Sequence, residues 1–267
     1  MSSEKVRKVS LYDLGLISDK EKNIEVNGLE VDSRKIKNGF LFIALNGSKM
    51  HGAEYIKEAI ENGAKAILTD EMGSQLIRKI DSNLDCPCII SSNPRVELSR
   101  LAKAFWMGQP KTMVAVTGTN GKTSVANFIR QIWCLLGYKS VNIGTNGVDG
   151  DYCSDVKLTT PEPLTLHKLL DSLSKNEINH CAMEASSHGL SQHRLDAVTL
   201  SAAAFTNFSH DHLDYHKSFD EYFESKMRLF DAVLTASGTA VVFTDSDKGR
   251  IVKNRCDKIG LNTFTIG

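Results

Sequence analysis

Short apolar runs alternate with helical patterns along the first hundred residues. FLFIAL, residues 40–45, is a continuous apolar run between Gly39 and Gly47, the pattern of a strand covered on both faces. Ile56, Ala59 and Ile60 then recur at i, i+3 and i+4, the spacing of one helix face, and Gly63 follows as a stop. AIL (residues 66–68) and CII (88–90) predict two further strands, and Val96, Leu98, Leu101, Ala102 and Phe105 predict a helix after Pro94. Alternation of this kind argues for α/β layers. MGQP, residues 107–110, breaks the pattern and predicts a boundary between a domain over 1–108 and another over 109–267.

The second half opens on MVAV, residues 113–116, a strand that runs into a glycine-rich turn. Val125, Phe128, Ile129, Ile132, Trp133 and Leu136 then repeat at helical spacing, with Gly137 placed as a C-cap. Later apolar runs (CAM before Glu184, LSAAAF before Thr206, AVVF before Thr244) predict strands that each end in polar residues. In open α/β sheets, ligands collect at the carboxyl ends of the strands.

Composition narrows the classes. With 41% hydrophobic and 24% charged residues, the chain has the averages of a soluble globular protein, which excludes a disordered tail, a fibrous repeat and a membrane bundle. Thirty-two Lys+Arg balance thirty-two Asp+Glu, so no general attraction draws nucleic acid or an anionic membrane, and an anionic ligand must be met by a local site. No stretch approaches the ~20 apolar residues needed to cross a bilayer, and MSSEKVRKVS carries no apolar leader. The expectation is a cytoplasmic protein with six reduced cysteines and neither nucleic-acid nor membrane partners. Cys86 and Cys88 flank a proline, but without a second pair or a nearby histidine they do not predict a zinc site.

The candidate chemistry begins at TGTNGKTS, Thr117 to Ser124, between the predicted strand and helix. A strand–loop–helix with Gly-Lys-Thr at the helix start is a phosphate cradle. Its backbone N–H groups, from Gly118, Thr119, Asn120 and Gly121 into Ser124, face the anion. Lys122 reaches the β/γ-phosphates, and the Thr123 hydroxyl can ligate Mg²⁺. The strict G-x-x-x-x-G-K-[ST] spacing is not kept, because Val116 stands where its first glycine belongs. Glu184, at the end of an apolar run, presents a hard oxygen ligand at the same edge.

GTNGKTS, followed by LTTPEP, MEASSHGLSQHRL and FTNFSHDHLDYH, resembles the Mur ligases, and among them the MurE type. The segments VDSRKIKNGFLFIAL and GAEYIKEAIENGAKAIL look like that group's uridine-nucleotide domain. The resemblance implies a small N-terminal α/β domain that binds a UDP-sugar, followed by a P-loop-type, mostly parallel ATP-binding domain. It also implies ligation of a third amino acid to UDP-N-acetylmuramoyl-L-alanyl-D-glutamate through an acyl phosphate, with ATP and Mg²⁺, in bacterial peptidoglycan precursor synthesis. Other Mur-type ligases, folylpolyglutamate-type ligases and a non-catalytic nucleotide-binding fragment are the alternatives. Catalysis would fall to Lys122, Glu184, His212 and Lys226, with Asn207 supporting the nucleotide loop.

By the same resemblance, His212 and Lys226 help to hold a second Mg²⁺, Lys226 as a carbamate; read from the residues alone, Lys226 is a surface-helix lysine. Val31 and Ser33 would lie near the uracil and ribose, with residues 48–50 covering the nucleotide. Thr159, Thr160, Ser186, Gln192 and Arg194 would face the sugar-peptide end. The chain would then stop inside the ATP-binding domain, before a third domain for the incoming diamino acid. It is expected to be inactive alone, and it does not decide between meso-diaminopimelate and L-lysine.

Overall fold

The computed structural model describes residues 7–19, 24–211 and 215–267. It divides into two compact units, one up to Phe105 and one from Trp106 onward. Among the described residues, no helix is long and apolar enough to cross a membrane.

In the first unit, β1 (Val9–Ser10) pairs antiparallel with β2 (Glu25–Val26). A parallel sheet follows, with β3 (Gly28–Glu30), β4 (Phe40–Ile43), β5 (Ala64–Thr69) and β6 (Cys88–Ile90) side by side in that order. Its helices are α1 (Ile56–Glu61), α2 (Glu71–Ile80) and α3 (Pro94–Phe105). The predicted strand over residues 40–45 stops at Ile43, and the chain turns into a hairpin over residues 46–51. Phe42, Ile56, Ile67 and Ile77 share the core, and each such side chain contributes about 1.5–3 kcal/mol on burial. Helix α2 begins on Asp70, whose carboxylate accepts from Gly73 N, and ends on Arg78 and Lys79, which complement its dipole.

The second unit is built on β7 (Thr112–Thr117), α4 (Lys122–Leu135), β8 (Ser140–Gly144), β9 (Gly147–Gly150), α5 (Pro163–Lys175) and β10 (His180–Glu184). After these come α6 (Ser187–Ser191), β11 (Ala202–Phe205), α7 (Phe219–Arg228), β12 (Thr239–Phe243), α8 (Asp247–Lys258) and β13 (Asn262–Ile266). The sheet order is β13-β12-β11-β7-β10-β8-β9, parallel except for β9 against β8. Leu166, Leu170, Met227 and Val252 from α5, α7 and α8 pack with Met183 and Val242 on one face. Helix α4 covers the other through Ala126, with Val125, Ile129 and Trp133 behind it.

The single apolar face expected for α4 is only half realised. Val125, Ile129 and Trp133 turn to the sheet, but Phe128, Ile132 and Leu136 are 59%, 56% and 65% exposed. The helix is apolar on two sides and packs with one. Beside it, Val114, Val241, Phe243 and Ile266 line an apolar groove of ≈ 660 Å³ on the same side of the sheet.

Register places the site. Val116 lies beside Glu184, Thr117 beside Phe205, and Met183 beside Ile143, so four strands end at one level. The chain leaves β7 toward β8 on one side and later builds β11 to β13 on the other. The reversal point lies at β7, where a parallel sheet opens a crevice.

Candidate active site

The loop after β7 needs its glycines. Gly118 has φ +142°, and a Cβ there would lie 2.0 Å from Thr206 Oγ1. Gly121, at φ +85°, is the N-cap of α4 and offers no side-chain cap, so the first-turn N–H groups of the helix face outward toward an anion. The loop is braced from behind by the segment after β11. Asn207 accepts from Asn120 N at 3.0 Å and donates to Asn120 O at 3.1 Å, while its own carbonyl accepts from Thr119 N. Thr206 Oγ1 donates to Asn120 O at 2.7 Å. Asn207 is therefore placed as a support for the loop. Asn207→Ala should cost about 1–3 kcal/mol from the two lost side-chain bonds, visible as a lower Tm together with weaker nucleotide binding.

Two ammonium groups converge on one carbonyl. Lys122 Nζ donates to Gly118 O at 2.9 Å and Thr119 O at 2.7 Å, and Lys226 Nζ donates to the same Gly118 O at 2.8 Å. Burial lowers the pKa of Lys122, opposed by the charges of Glu184 and Asp211. Lys226 is 1% exposed and sits 4.4 Å from the ring centre of Tyr222. Burial first, and then the charge of Lys122, push its pKa down to about 7, with Asp211 opposing. It is not a surface-helix lysine: Tyr222, Lys226 and Phe230 share one buried stripe with Phe223 and Met227.

Glu184 is 2% exposed at the end of β10. Thr145 holds its carboxylate, N to Oε1 at 2.9 Å and Oγ1 to Oε2 at 3.4 Å, and Thr145 Oγ1 lies 3.1 Å from Thr159 Oγ1. This fit depends on Gly144, where a Cβ would lie 1.9 Å from Glu184 Oε1. Gly144→Ala should displace the carboxylate at a cost of about 1–3 kcal/mol, read as a lower Tm.

Thr119, Asn120, Gly121, Lys122 and Thr123 line one wall of a cavity of ≈ 460 Å³ that Glu184 also reaches. Thr159, Thr160, Ser186 and Arg194 also line it, with Thr145, Leu158 and His188. Thr160 Oγ1 donates to Glu184 O and accepts from Ser186 N, and Arg194 donates to Thr160 O, Gln192 Oε1 and Glu162 Oε1. The guanidinium fork thus already organises the rim. Gln192, Gly118, Asn207 and Lys226 are not part of the lining, and Ser124 is exposed on α4. His212 lies outside the described residues. Among the described residues, no three of His, Cys, Asp and Glu form a ready-made metal cage.

In the first unit, Val31 and Ser33 line a separate cavity of ≈ 990 Å³, together with Ser48, Lys49 and Met50. The Ser33 hydroxyl donates to Glu58 Oε2 at 2.5 Å, which leaves its lone pairs as the acceptors it offers.

The Mur ligase middle-domain model matches residues 116–267, more than half of the chain, and the model of the Mur ligase family catalytic domain matches residues 25–104. The chain belongs to the Mur ligase family. The UDP-N-acetylmuramoyl-L-alanyl-D-glutamate–2,6-diaminopimelate ligase of Agrobacterium fabrum (strain C58) is 45% identical over 245 residues, 91% of this chain and 48% of that protein. The protein of the same name from Brucella melitensis biotype 1 is 41% identical over 264 residues, 98% and 53%. A solved structure of that ligase shares the fold with a TM-score of 0.79 at 25% identity, covering 97% of this chain and 52% of that one. MurF ligase from Thermotoga maritima in complex with ADP shares the fold at 19% identity, with a TM-score of 0.58 over 89% of this chain and 49% of that one. The chain spans about half the length of the curated relatives it matches.

Sequence reasoning missed three residues of this Mur ligase chain. Gly144 ends β8 and Thr145 follows it, in a GTNG turn whose only signal is its position after Val141 and Ile143. Tyr222 has its hydroxyl 3.2 Å from Thr119 Oγ1, so it joins the loop to the Lys226 helix. The i, i+4 spacing of Tyr222 and Lys226 on an apolar stripe was the signal that could have found it.

Proposed function

We propose that this chain carries the uridine-nucleotide-binding and ATP-binding regions of a ligase that joins diaminopimelate to UDP-N-acetylmuramoyl-L-alanyl-D-glutamate, with residues 1–108 serving the first and 109–267 the second. The names of relatives more than 40% identical over most of the chain support the substrate. The observation that carries the reading is the ≈ 460 Å³ cavity, which faces a phosphate loop and a buried carboxylate toward the polar residues of the Thr159–Arg194 rim.

A carboxylate is a poor electrophile, so it must first be activated. Transfer of the γ-phosphoryl group of ATP to its oxygen yields an acyl phosphate and ADP. The amine of the incoming amino acid then attacks the carbonyl carbon and expels phosphate. Catalysis of the first step is positioning and charge neutralisation. The loop N–H groups and the start of α4 would cradle the phosphates, and Lys122 would neutralise charge developing on them. The Thr123 hydroxyl and Glu184 carboxylate are hard oxygen donors of the kind Mg²⁺ prefers, and Thr145 holds the carboxylate in place. Bound there, Mg²⁺ would offset the charge of the phosphate oxygens. Thr159, Thr160, Ser186 and Arg194 would orient the acceptor carboxylate. Lys226 as a carbamate would turn a cation beside the loop into an anionic oxygen ligand.

Equilibrium binding tests this reading on the 267-residue chain. A non-hydrolysable ATP analogue with Mg²⁺ and UDP-N-acetylmuramoyl-L-alanyl-D-glutamate should each bind saturably. Binding of a folate substrate in place of the UDP-dipeptide would sink the assignment.

A further inference from the structure

The hairpin over residues 46–51 is exposed from Asn46 to Met50 and has no core of its own, so its position depends on what anchors its base. Asn46 and His51 form a bridge there, and Gly47 N donates to Met50 O at 3.1 Å. Arg95, from α3, donates to Asn46 O at 2.8 Å. His51 is the inward anchor, only 4% exposed. Its Nδ1 accepts from Ala53 N at 3.0 Å, and this assigns the proton to Nε2, which lies 3.1 Å from Asp70 Oδ1.

Asp70 Oδ1 also accepts from Gly73 N at 2.7 Å, so the same carboxylate caps α2 and fixes the imidazole. The ring fits against α2 because residue 73 is glycine: a Cβ there would lie 2.5 Å from His51 Cε1. One imidazole therefore ties the hairpin, the turn beginning at Gly52 and the start of α2 together.

We infer that His51, oriented by Asp70, is a positioning residue that sets the hairpin wall of the ≈ 990 Å³ cavity and thereby the affinity for the uridine diphosphate part of the substrate. The inference rests on the proposed assignment of that cavity to the uridine nucleotide. A side chain that only stabilised the unit would change Tm and leave the affinity of the folded protein unaltered. A positioning side chain changes both the affinity and the order of the hairpin.

UDP is titrated into the full chain by calorimetry, and amide exchange is followed over residues 46–53. His51→Ala should raise the Kd for UDP about tenfold, or about 1.4 kcal/mol, and speed exchange in the hairpin. His51→Asn, whose side-chain oxygen can still accept from Ala53 N–H, should recover part of the loss. His51→Ala in an Asp70→Ala background should add little, because the two act as one unit. The Kd for an ATP analogue serves as the control for folding of the second unit. An unchanged UDP Kd in folded His51→Ala overturns the inference, as does unchanged hairpin exchange. If the wild-type chain does not bind UDP, the nucleotide reading of the cavity fails, and exchange alone decides the anchoring: faster in His51→Ala upholds it, unchanged removes it.

Discussion

Lys122→Ala should weaken binding of Mg²⁺-ATP about a hundredfold, while UDP-substrate binding by the first unit stays intact. The ammonium is held between the carbonyls of Gly118 and Thr119, so its position is set before any phosphate arrives. A charge-assisted hydrogen bond contributes about 1.5–3 kcal/mol, and each ~1.4 kcal/mol is tenfold in affinity. Lys122→Arg should not restore binding, because a planar fork cannot replace a compact ammonium between two carbonyls.

The substitution has a second consequence. The charge of Lys122 is one of the two causes that depress the pKa of Lys226, so Lys122→Ala should raise it and leave less free amine on Lys226 at neutral pH. A titration showing ATP affinity within about threefold of wild type, under ~0.7 kcal/mol, would remove Lys122 from the phosphate site.

Much of this arrangement is legible in the sequence wherever one physical signal dominates. Residues 113–116, the glycine-rich turn and the periodic helix predict β7, its loop and α4, because an apolar run, two glycines and a Lys-Thr pair point the same way. Glu184 is legible for a similar reason: an apolar strand that ends in a carboxylate delivers it to the sheet edge. Strand β9 is not, because Gly-Val-Asp-Gly has no apolar alternation, and it is held by its hairpin with β8 and a bridge from Val148 to Ser154. Phe128, Ile132 and Leu136 show the opposite failure, since periodicity reports that a residue is apolar and not which surface it meets. Thr145 is invisible for a third reason. Its role comes from register between non-consecutive strands, and β10 lies between β7 and β8 only in three dimensions.

Lys226 should carry a carbamate at mildly alkaline pH when bicarbonate is present. The step is addition of the free amine to CO₂ with loss of one proton, so it needs the neutral form of the lysine. An ordinary lysine is almost wholly protonated near neutrality, but burial and the neighbouring Lys122 bring Lys226 down to about 7. A pKa below the ordinary value means that the free amine grows as pH rises through it. Carbamate should therefore be sparse at about pH 6 and substantial at about pH 8, read by carbon NMR with labelled bicarbonate on the wild-type chain and on Lys226→Ala. The site is shielded enough to protect the product, since the side chain is 1% exposed under Tyr222.

In a full-length protein with the proposed ligase activity, Lys226→Ala should lower turnover about 10²–10³-fold, the scale for losing one group that stabilises transition-state charge. Short carboxylic acids should restore part of it, because they can supply the missing oxygens where the side chain ended. Arg at this position should not, since it keeps the cation that the carbamate replaces. Full turnover in Lys226→Ala, together with no carbamate signal at any pH, would leave the buried ammonium a purely structural role, in which it holds the Gly118 carbonyl and the phosphate loop attached to it.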